Sequence, residues 1–350
     1  MKEKAKKIFV GISGGVDSSA VAYLLKKEGY DVHGIFVKTW SPEWLPCTWI
    51  EEKRDAMRVC ATLNIPFHFL DAEQEYKDGV ADYMISEYKA GRTPNPDVLC
   101  NRVIKFGAMW DYAKNHGADY VATGHYARTD GKSLMKGLDS SKDQSYFLWM
   151  LTKEDLSHTM IPIGHLQKSK VRKIAEKAKL FTSDKKDSQG ICFLGDVDMR
   201  EFLSHYIEQK KGLVKNTEGE IVGEHDGIWF YTLGERHGFR ITKNSTDQKP
   251  YYIVNKNIEE NVLIVSHNSK SQTTKSKQLV TLREVSWLEV VRQDLTISAQ
   301  IRYHGELIPA KVIDENTVEL THQGVIAEGQ SLVLYKGETL VGGGIIEKVS

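Results

Sequence analysis

Through the first 200 residues, short apolar runs alternate with stretches of helical spacing. Ile8-Phe9-Val10 predicts a strand, and Ala20, Val21, Leu24 and Leu25 then mark the buried face of a helix over 18–28. Val32 to Val37 predicts a second strand, 51–63 a helix, Phe67 to Leu70 a third strand, and Tyr120 to Thr123 a further strand ending at Gly124-His125. Strands alternating with helices imply a parallel, Rossmann-like α/β sheet covered on both faces, with functional loops at the carboxyl ends of its strands. A helix starting near Ser169 sets Val171, Ile174, Ala175 and Ala178 on one face and Lys170, Arg172, Lys173, Lys177 and Lys179 largely elsewhere.

Beyond about residue 200 the runs shorten and glycines become frequent. Ile228 to Tyr231, Tyr251 to Val254 and Val262 to Val265 predict strands, and Ser266 to Gln278, rich in Ser, Thr, Lys and Asn, predicts a linker. Period-two alternation follows at Leu295 to Ile301, Thr317 to Leu320 and Ser331 to Tyr335, which suggests a small β-barrel. The expected organisation is an α/β domain over 1–200, a small mainly-β domain over 201–268 and a C-terminal β-barrel over 278–350.

Composition narrows the class. Apolar residues make up 41% of the chain and charged residues 27%, an ordinary globular balance. No run reaches the roughly 18 apolar residues of a membrane span, and the basic start Met1 to Lys7 leads into a strand pattern, so a cytoplasmic protein is expected. Lys plus Arg equals Asp plus Glu, at 47 each, so a nucleic-acid partner would have to meet a local patch. Residues 165–186 carry eight Lys/Arg against two acids, a solvated face or such a patch. The cysteines at 47, 60, 100 and 192 form no Cys-x-x-Cys pair, and the histidines show no metal spacing, so neither a zinc site nor structural disulfides are expected.

Ser13-Gly14-Gly15-Val16-Asp17-Ser18-Ser19 lies between the first strand and the first helix. Its glycines let the backbone approach an anion, and the helix start favours phosphate. The loop lacks the Gly-Lys-Ser/Thr ending of a kinase or GTPase and the glycine spacing of a dinucleotide fold. It resembles the pyrophosphate loop of the ATP pyrophosphatase superfamily, which implies an adenine nucleotide α-hydrolase-like domain that cleaves ATP to AMP and pyrophosphate. Asp17 is either a partner for Mg²⁺ on the phosphates or an acid complementing the helix dipole.

Two cysteines have suggestive neighbours. Thr93-Pro94-Asn95-Pro96-Asp97-Val98-Leu99-Cys100-Asn101 places Asp97 and Cys100 on a short loop stiffened by two prolines, ahead of a helix. Lys185-Lys186-Asp187-Ser188-Gln189-Gly190-Ile191-Cys192-Phe193 places Cys192 downstream of two lysines. A helix start or a lysine raises the thiolate fraction of a nearby cysteine.

Taken with Ala122-Thr123-Gly124-His125-Tyr126, the stretch Lys142 to Leu148, Pro162-Ile163-Gly164 and Gly342-Gly343-Gly344-Ile345-Ile346, these segments resemble the bacterial tRNA-specific 2-thiouridylase family along the whole chain. The resemblance implies adenylation of the C2 oxygen of a wobble uridine in tRNA, a persulfide loaded on Cys192 by a sulfur-relay protein or cysteine desulfurase, Cys100 as nucleophile and Asp97 as general acid/base. A disulfide between Cys100 and Cys192 would form in the cycle, whether sulfur leaves as free sulfide or attacks directly. Gly11, Ile12, Ser13, Gly14, Gly15, Val16, Asp17, Ser18, Val37 and Gly124 would hold ATP with its Mg²⁺. Asn95, Pro96 and Asp97 would line the base pocket, and His125, Lys142, Asp143, Gln144, Arg302, Tyr303 and Gln330 would meet tRNA. The basic helix near 169–180 would contact phosphate or dock the sulfur donor, and the enzyme is expected to act as a monomer.

Two segments depart from the family pattern: Gly234-Glu235-Arg236 stands where Gly-Gln-Arg is expected, and Trp40 to Ile50 replaces an acidic stretch. The rival readings are another ATP pyrophosphatase of synthetase or amidotransferase type, which needs no cysteine pair, and a tRNA-binding protein with a relic nucleotide site.

Overall fold

The computed structural model describes residues 5–45, 48–186, 198–242, 249–268, 277–290 and 297–350. The N-terminal sheet contains β1 (Lys7–Gly11), β2 (Asp31–Lys38), β3 (Phe67–Asp71) and β4 (Tyr120–Ala122), with the hairpin β5 (Ala127–Thr129) and β6 (Leu134–Lys136) and the short β7 (Thr159–Met160) following in the chain. Its spatial order is β3-β2-β1-β4-β7, all parallel. The chain steps from β1 outward to β2 and β3, then returns to the other side of β1 as β4. The carboxyl end of β1 is therefore the switch point where such sheets open a crevice. Alternation along β1 decides its two faces: Ile8 and Val10 pack against the helices Val16–Lys27, Trp49–Leu63 and Lys168–Lys177, while Phe9 packs against Phe106, Met109 and Ala113.

A second sheet, ordered β10-β9-β8-β12-β11, is built from β8 (Gly212–Asn216), β9 (Ile221–His225), β10 (Arg240–Ile241), β11 (Tyr252–Asn257) and β12 (Val262–Ser266). The third contains β13 (Gln278–Trp287), β14 (Ile297–Gln300), β15 (Ile308–Val312), β16 (Thr317–Leu320), β17 (Ser331–Lys336) and β18 (Thr339–Val349), and pairing of β13 with β18 closes these six into a barrel. The hairpin β5–β6 adds to the edge of β18, so the N-terminal region extends the barrel's own sheet.

The predicted strand at Ile228 to Tyr231 is instead a 3₁₀ turn over Ile228–Phe230. Gly227 enters it at φ +150°, and the N–H groups of Phe230 and Tyr231 bond back to Gly227 and Ile228. Ile228, Phe230 and Tyr231 are all buried, and a continuous apolar run of this length does not separate a buried turn from a strand. The predicted linker is shorter than its composition suggests, because Ser266 ends β12 and Gln278 begins β13, while 269–276 lie outside the described residues. Among the described residues, no helix is long and apolar enough to cross a membrane.

Buried side chains join the three regions. Trp149 Nε1 donates to Ser331 Oγ (2.9 Å), the Tyr146 hydroxyl donates to the Ser331 carbonyl (2.8 Å), and Ser145 Oγ meets the Tyr335 hydroxyl (3.0 Å). Gly343 lies so close to Trp149 that a Cβ would fall 3.0 Å from the indole, which accounts for a glycine in the closing run. Across the other interface, Tyr76, Val80, Cys100, Phe202 and Leu203 form one apolar cluster with Val214, Tyr231, Ile253 and Leu263.

Candidate active site

The phosphate loop begins where β1 ends. Gly14 adopts φ +74°, and a Cβ there would sit 2.9 Å from Asp55, so this position requires glycine. Gly124, at the end of β4, packs equally close: a Cβ would lie 2.9 Å from the Ser18 nitrogen. Gly11, Ile12, Ser13, Gly14, Gly15, Val16, Asp17, Ser18 and Gly124 therefore meet at the switch point, and Val37 lies on the neighbouring strand opposite Leu70. The serine hydroxyls serve the loop itself. Ser19 Oγ donates to the Gly15 carbonyl (2.7 Å), as does Ser18 Oγ (3.3 Å), and Ser18 Oγ accepts from the Ser13 N–H (3.3 Å). With these side chains engaged, an anion would be met by the loop's backbone and the helix start.

Asp17 is in an ion pair. Lys168 Nζ lies 2.8 and 2.7 Å from its two carboxylate oxygens, and the Tyr126 hydroxyl donates to Oδ1 at 2.8 Å. On the other side of the loop, Lys185 Nζ donates to the Gly14 carbonyl (3.2 Å) and to Asp55 Oδ2 (2.8 Å). Arg172 secures this second lysine by donating to the carbonyls of Ser183 (2.7 Å) and Lys185 (2.9 Å). The basic run at 165–186 thus flanks the phosphate loop with two ammonium groups. Its charge count alone did not single out Lys168 or Lys185.

Asp97 and Cys100 were expected on a loop, but both are helical. Asn95 is extended, Pro96 opens the helix Pro96–Leu99, and a π-helical segment Cys100–Ala108 leads into Met109–Asn115. Proline at the first helical position is pre-set for helix, which is why the second proline starts the element instead of stiffening a loop. A second π-helical segment, Lys77–Ala81, touches the first where Gly79 meets Val103, so closely that a Cβ on Gly79 would fall 2.9 Å from the valine side chain. Long π-helical stretches are rare and concentrate at functional sites. Cys100 is 2% exposed, inside the cluster with Tyr76, Val80 and Leu99.

The residues ahead of Asp97 are held from three directions. The Thr93 N–H donates to the Glu328 carbonyl (2.9 Å), and Gln330 Nε2 donates to the carbonyls of Thr93 (2.9 Å) and Pro94 (3.3 Å). Thr93 Oγ1 meets Thr232 Oγ1 of the middle region at 3.1 Å. Asn95 hydrogen-bonds the buried Tyr146 hydroxyl. Glu235, at the position that departs from the family pattern, accepts from the Thr232 N–H (3.0 Å) and so fixes this turn. In the other departing stretch, Trp44 stacks on His205 (3.8 Å between ring centres) and Trp40 meets Phe202 edge-on.

Arg302 and Tyr303 lie in the turn after β14, Arg302 exposed and Tyr303 half-buried. Burial, then the charges of Asp143 and Asp97, push the Tyr303 hydroxyl's pKa up, so this barrel residue is within electrostatic reach of Asp97. Its ring lies 4.4 Å from that of Phe147, whose carbonyl accepts from Asn101 Nδ2 (3.1 Å). Lys142 is half-buried, its N–H donating to the Asp139 carbonyl (3.0 Å). Asp143 accepts from the Gly137 and Ser145 N–H groups (2.8 and 3.1 Å) and so staples its own turn, while Gln144 Oε1 accepts from the Tyr126 N–H (3.0 Å) and ties that turn to the segment after β4.

His125 is not the surface contact expected of it. It is 6% exposed, and burial, with the Lys105 charge, holds its pKa well below the ordinary imidazole value. The neutral ring accepts from Lys105 Nζ at Nε2 (3.4 Å), leaving Nδ1 to donate to Thr123 Oγ1 (2.8 Å). It thereby links the end of β4 to the π-helical segment. Cys60 packs beneath Gly34 in the core, and burial pushes its thiol up to about 11. Cys47 and Cys192 lie outside the described residues. The described chain ends at Lys186, next to the lysine that meets the phosphate loop, and resumes at Asp198, which caps the helix Met199–Ser204 whose Phe202 and Leu203 share the cluster of Cys100.

Three family models match in succession: a tRNA methyl transferase HUP domain over 6–196, a tRNA methyl transferase PRC-barrel domain over 200–267 and an aminomethyltransferase β-barrel domain over 277–346. Full-length relatives agree on a more specific name. The tRNA-specific 2-thiouridylase MnmA of Shewanella amazonensis is 44% identical, covering 98% of this chain and 95% of the relative. Those of Geobacillus thermodenitrificans (44%, covering 98% and 95%) and Escherichia coli (44%, covering 99% and 98%) are equally similar. The chain belongs to the MnmA family.

Within an MnmA-family chain, three features of the site carried no motif in the sequence reading: the lysines flanking the phosphate loop, the π-helical frame around Cys100, and the junction of all three regions on Thr93. Their partners stand far away in the chain, as in Asp17 with Lys168 and Thr93 with Gln330, and no local spacing announces them. Among the described residues, no group of three or more His, Cys, Asp or Glu side chains could hold a metal ion.

Proposed function

We propose that the protein is an ATP-dependent tRNA-uridine 2-sulfurtransferase. The observation that carries this reading is membership of the MnmA family over nearly the whole chain, with the phosphate loop at the sheet's switch point. ATP lies on the Gly11–Ser18 backbone, with the helix start and Lys168 and Lys185 around its phosphates. The Asp17 carboxylate already holds an ammonium at 2.7 Å and so suits a cation; Mg²⁺ bound with ATP supplies charge neutralisation of the phosphates.

The uridine C2 oxygen attacks the α-phosphorus and pyrophosphate leaves, so that C2 now carries AMP as a leaving group. Cys192 holds the incoming sulfur as a persulfide received from a sulfur-relay protein or cysteine desulfurase. In one route Cys100 attacks the Cys192 sulfur and releases hydrosulfide, which displaces AMP. In the other the terminal sulfur attacks C2 first, AMP leaves, and Cys100 then frees the product. Either route ends in a Cys100–Cys192 disulfide that a thiol reductant must reopen. Asp97 moves the proton. Asn95, Pro96 and Asp97 line the base pocket, into which the uridine must be extruded. Arg302 and Tyr303 meet the anticodon loop by charge and stacking, with Lys142 beside them, while His125, Asp143 and Gln144 support that surface from beneath.

Mass spectrometry of tRNA nucleosides after incubation with ATP, Mg²⁺ and a persulfide donor tests the reading. 2-Thiouridine that depends on both ATP and the donor is expected. Its absence with every donor overturns the proposal in favour of another ATP pyrophosphatase.

A further inference from the structure

The arm that delivers Asp97 is shaped by residues that do not belong to its own region. Gly91, at φ +79°, packs on Ile258 of the middle region. Thr93 and Pro94 are met by three consecutive barrel residues, Glu328, Gly329 and Gln330, and the next, Ser331, acts one step further on. The Glu328 carbonyl takes the Thr93 N–H, and Gly329 (φ +89°) passes so near that a Cβ would fall 2.9 Å from the Thr93 nitrogen and oxygen. Gln330 Nε2 donates to both the Thr93 and Pro94 carbonyls, and Ser331 receives the Tyr146 hydroxyl that Asn95 also engages. Gln330 is itself locked into the barrel, since its carbonyl takes the Ile346 N–H. A side chain whose amide hydrogens are spent on two carbonyls of another region is placed to fix a backbone.

We propose that Gln330 is a positioning residue: by clamping the Thr93 and Pro94 carbonyls it sets Asn95 and Asp97 in the base pocket, so that catalytic competence depends on the barrel being docked. The proposal rests on the uridine-modifying reading of this site. It assigns to Gln330 an effect on turnover, where a direct RNA contact would act on binding.

The test is Gln330→Glu, which keeps the shape, removes both N–H donors and turns a carboxylate oxygen on two carbonyls. Misplacing a reacting group by about 1 Å costs on the order of 10²-fold in rate. A fall of about 10- to 100-fold in kcat for 2-thiouridine formation is expected, with KM and directly measured Kd for tRNA within about twofold of the parent. Hydrogen exchange of the peptide spanning 91–97 is expected to speed up while exchange within the helix Val16–Lys27 does not. A raised tRNA Kd with unchanged kcat would make Gln330 an RNA contact and overturn the proposal, as would unaltered exchange at 91–97. If the parent protein makes no 2-thiouridine, it is the functional reading that fails, and the exchange measurement still decides the clamp.

Discussion

The phosphate loop closes on itself, with Ser13, Ser18 and Ser19 each bonding to a partner no more than five positions away, whereas the arm before Asp97 is closed by Thr232, Glu328 and Gln330, which stand 139 to 237 positions further along the chain. The first is a local device whose sequence must carry its own shape. The second takes its shape from the docking of two other regions, and its sequence needs only to be compatible. ATP binding should therefore be insensitive to how the regions are arranged, and base chemistry should be sensitive to it.

Asp97→Asn should show the largest separation of the two. It leaves the arm's backbone partners intact but removes the proton acceptor, and a loss of roughly 10²–10⁴-fold in thiolation is expected with ATP affinity unchanged. Equal losses in both would show that the arm and the loop are not independent. Lys168→Met acts on the other side. Charge-assisted hydrogen bonds contribute about 1.5–3 kcal/mol, so ATP affinity measured by calorimetry should fall about tenfold or more, while tRNA affinity holds.

Arg283→Met tests the docking itself. Arg283 Nη2 of β13 donates to the buried Glu87 carboxylate (2.6 Å), which also takes a bidentate pair from Arg92. Burial pushes the Glu87 carboxyl up, but Arg92 and Arg283 outweigh it and hold it below the usual range. Removing Arg283 leaves one partner, at a cost of about 1–3 kcal/mol. A lower Tm and faster exchange at 91–97 are expected, with unchanged ATP binding; a change in ATP binding alone would break the comparison.

The smallest effect concerns acid. His33 Nδ1 and His68 Nε2 lie 2.9 Å apart beneath the sheet, and burial lowers the pKa of both rings; Asp31 opposes this at His33 without outweighing it, and the neighbouring imidazoles and Lys7 add to the lowering. Such a ring takes up a proton less readily in the folded state than in the unfolded chain, which protonates below about 6.5. Stability is therefore complete above that pH and declines as pH falls through and below it. Replacing both rings by Gln should flatten the fall in Tm between about pH 6.5 and 5.5. An unchanged slope would assign the acid sensitivity to other buried rings, such as His125.

The same contrast explains what could be read in advance. Ile8-Phe9-Val10 and its companion strands announce a parallel sheet because burial on both faces leaves a continuous apolar trace, and the glycines at 14 and 124 mark close approaches of backbone. The apolar run at Ile228 has the same trace and folds as a turn, since Gly227 and tertiary packing decide it. The π-helical frame at Cys100 has no spacing of its own to betray it, because its apolar face, with Ile104 and Phe106 buried, reads as an ordinary helix. His125 reads as a surface contact beside a loop, yet it is buried by Phe106 and Lys105 from another element.

The union of β6 with β18 bears on how the chain is made. Met135 and Leu134 pair with Thr339 and Leu340, and Arg128 reaches Glu338 at 2.7 Å. These partners are translated roughly 200 residues after the hairpin, which at about 5–20 residues per second is a delay of about 10–40 s. During that interval the hairpin presents an unpaired edge, and the barrel lacks the strand that closes it. Completion of the N-terminal region therefore waits for β18, and until that strand arrives the hairpin keeps an edge open to mispairing.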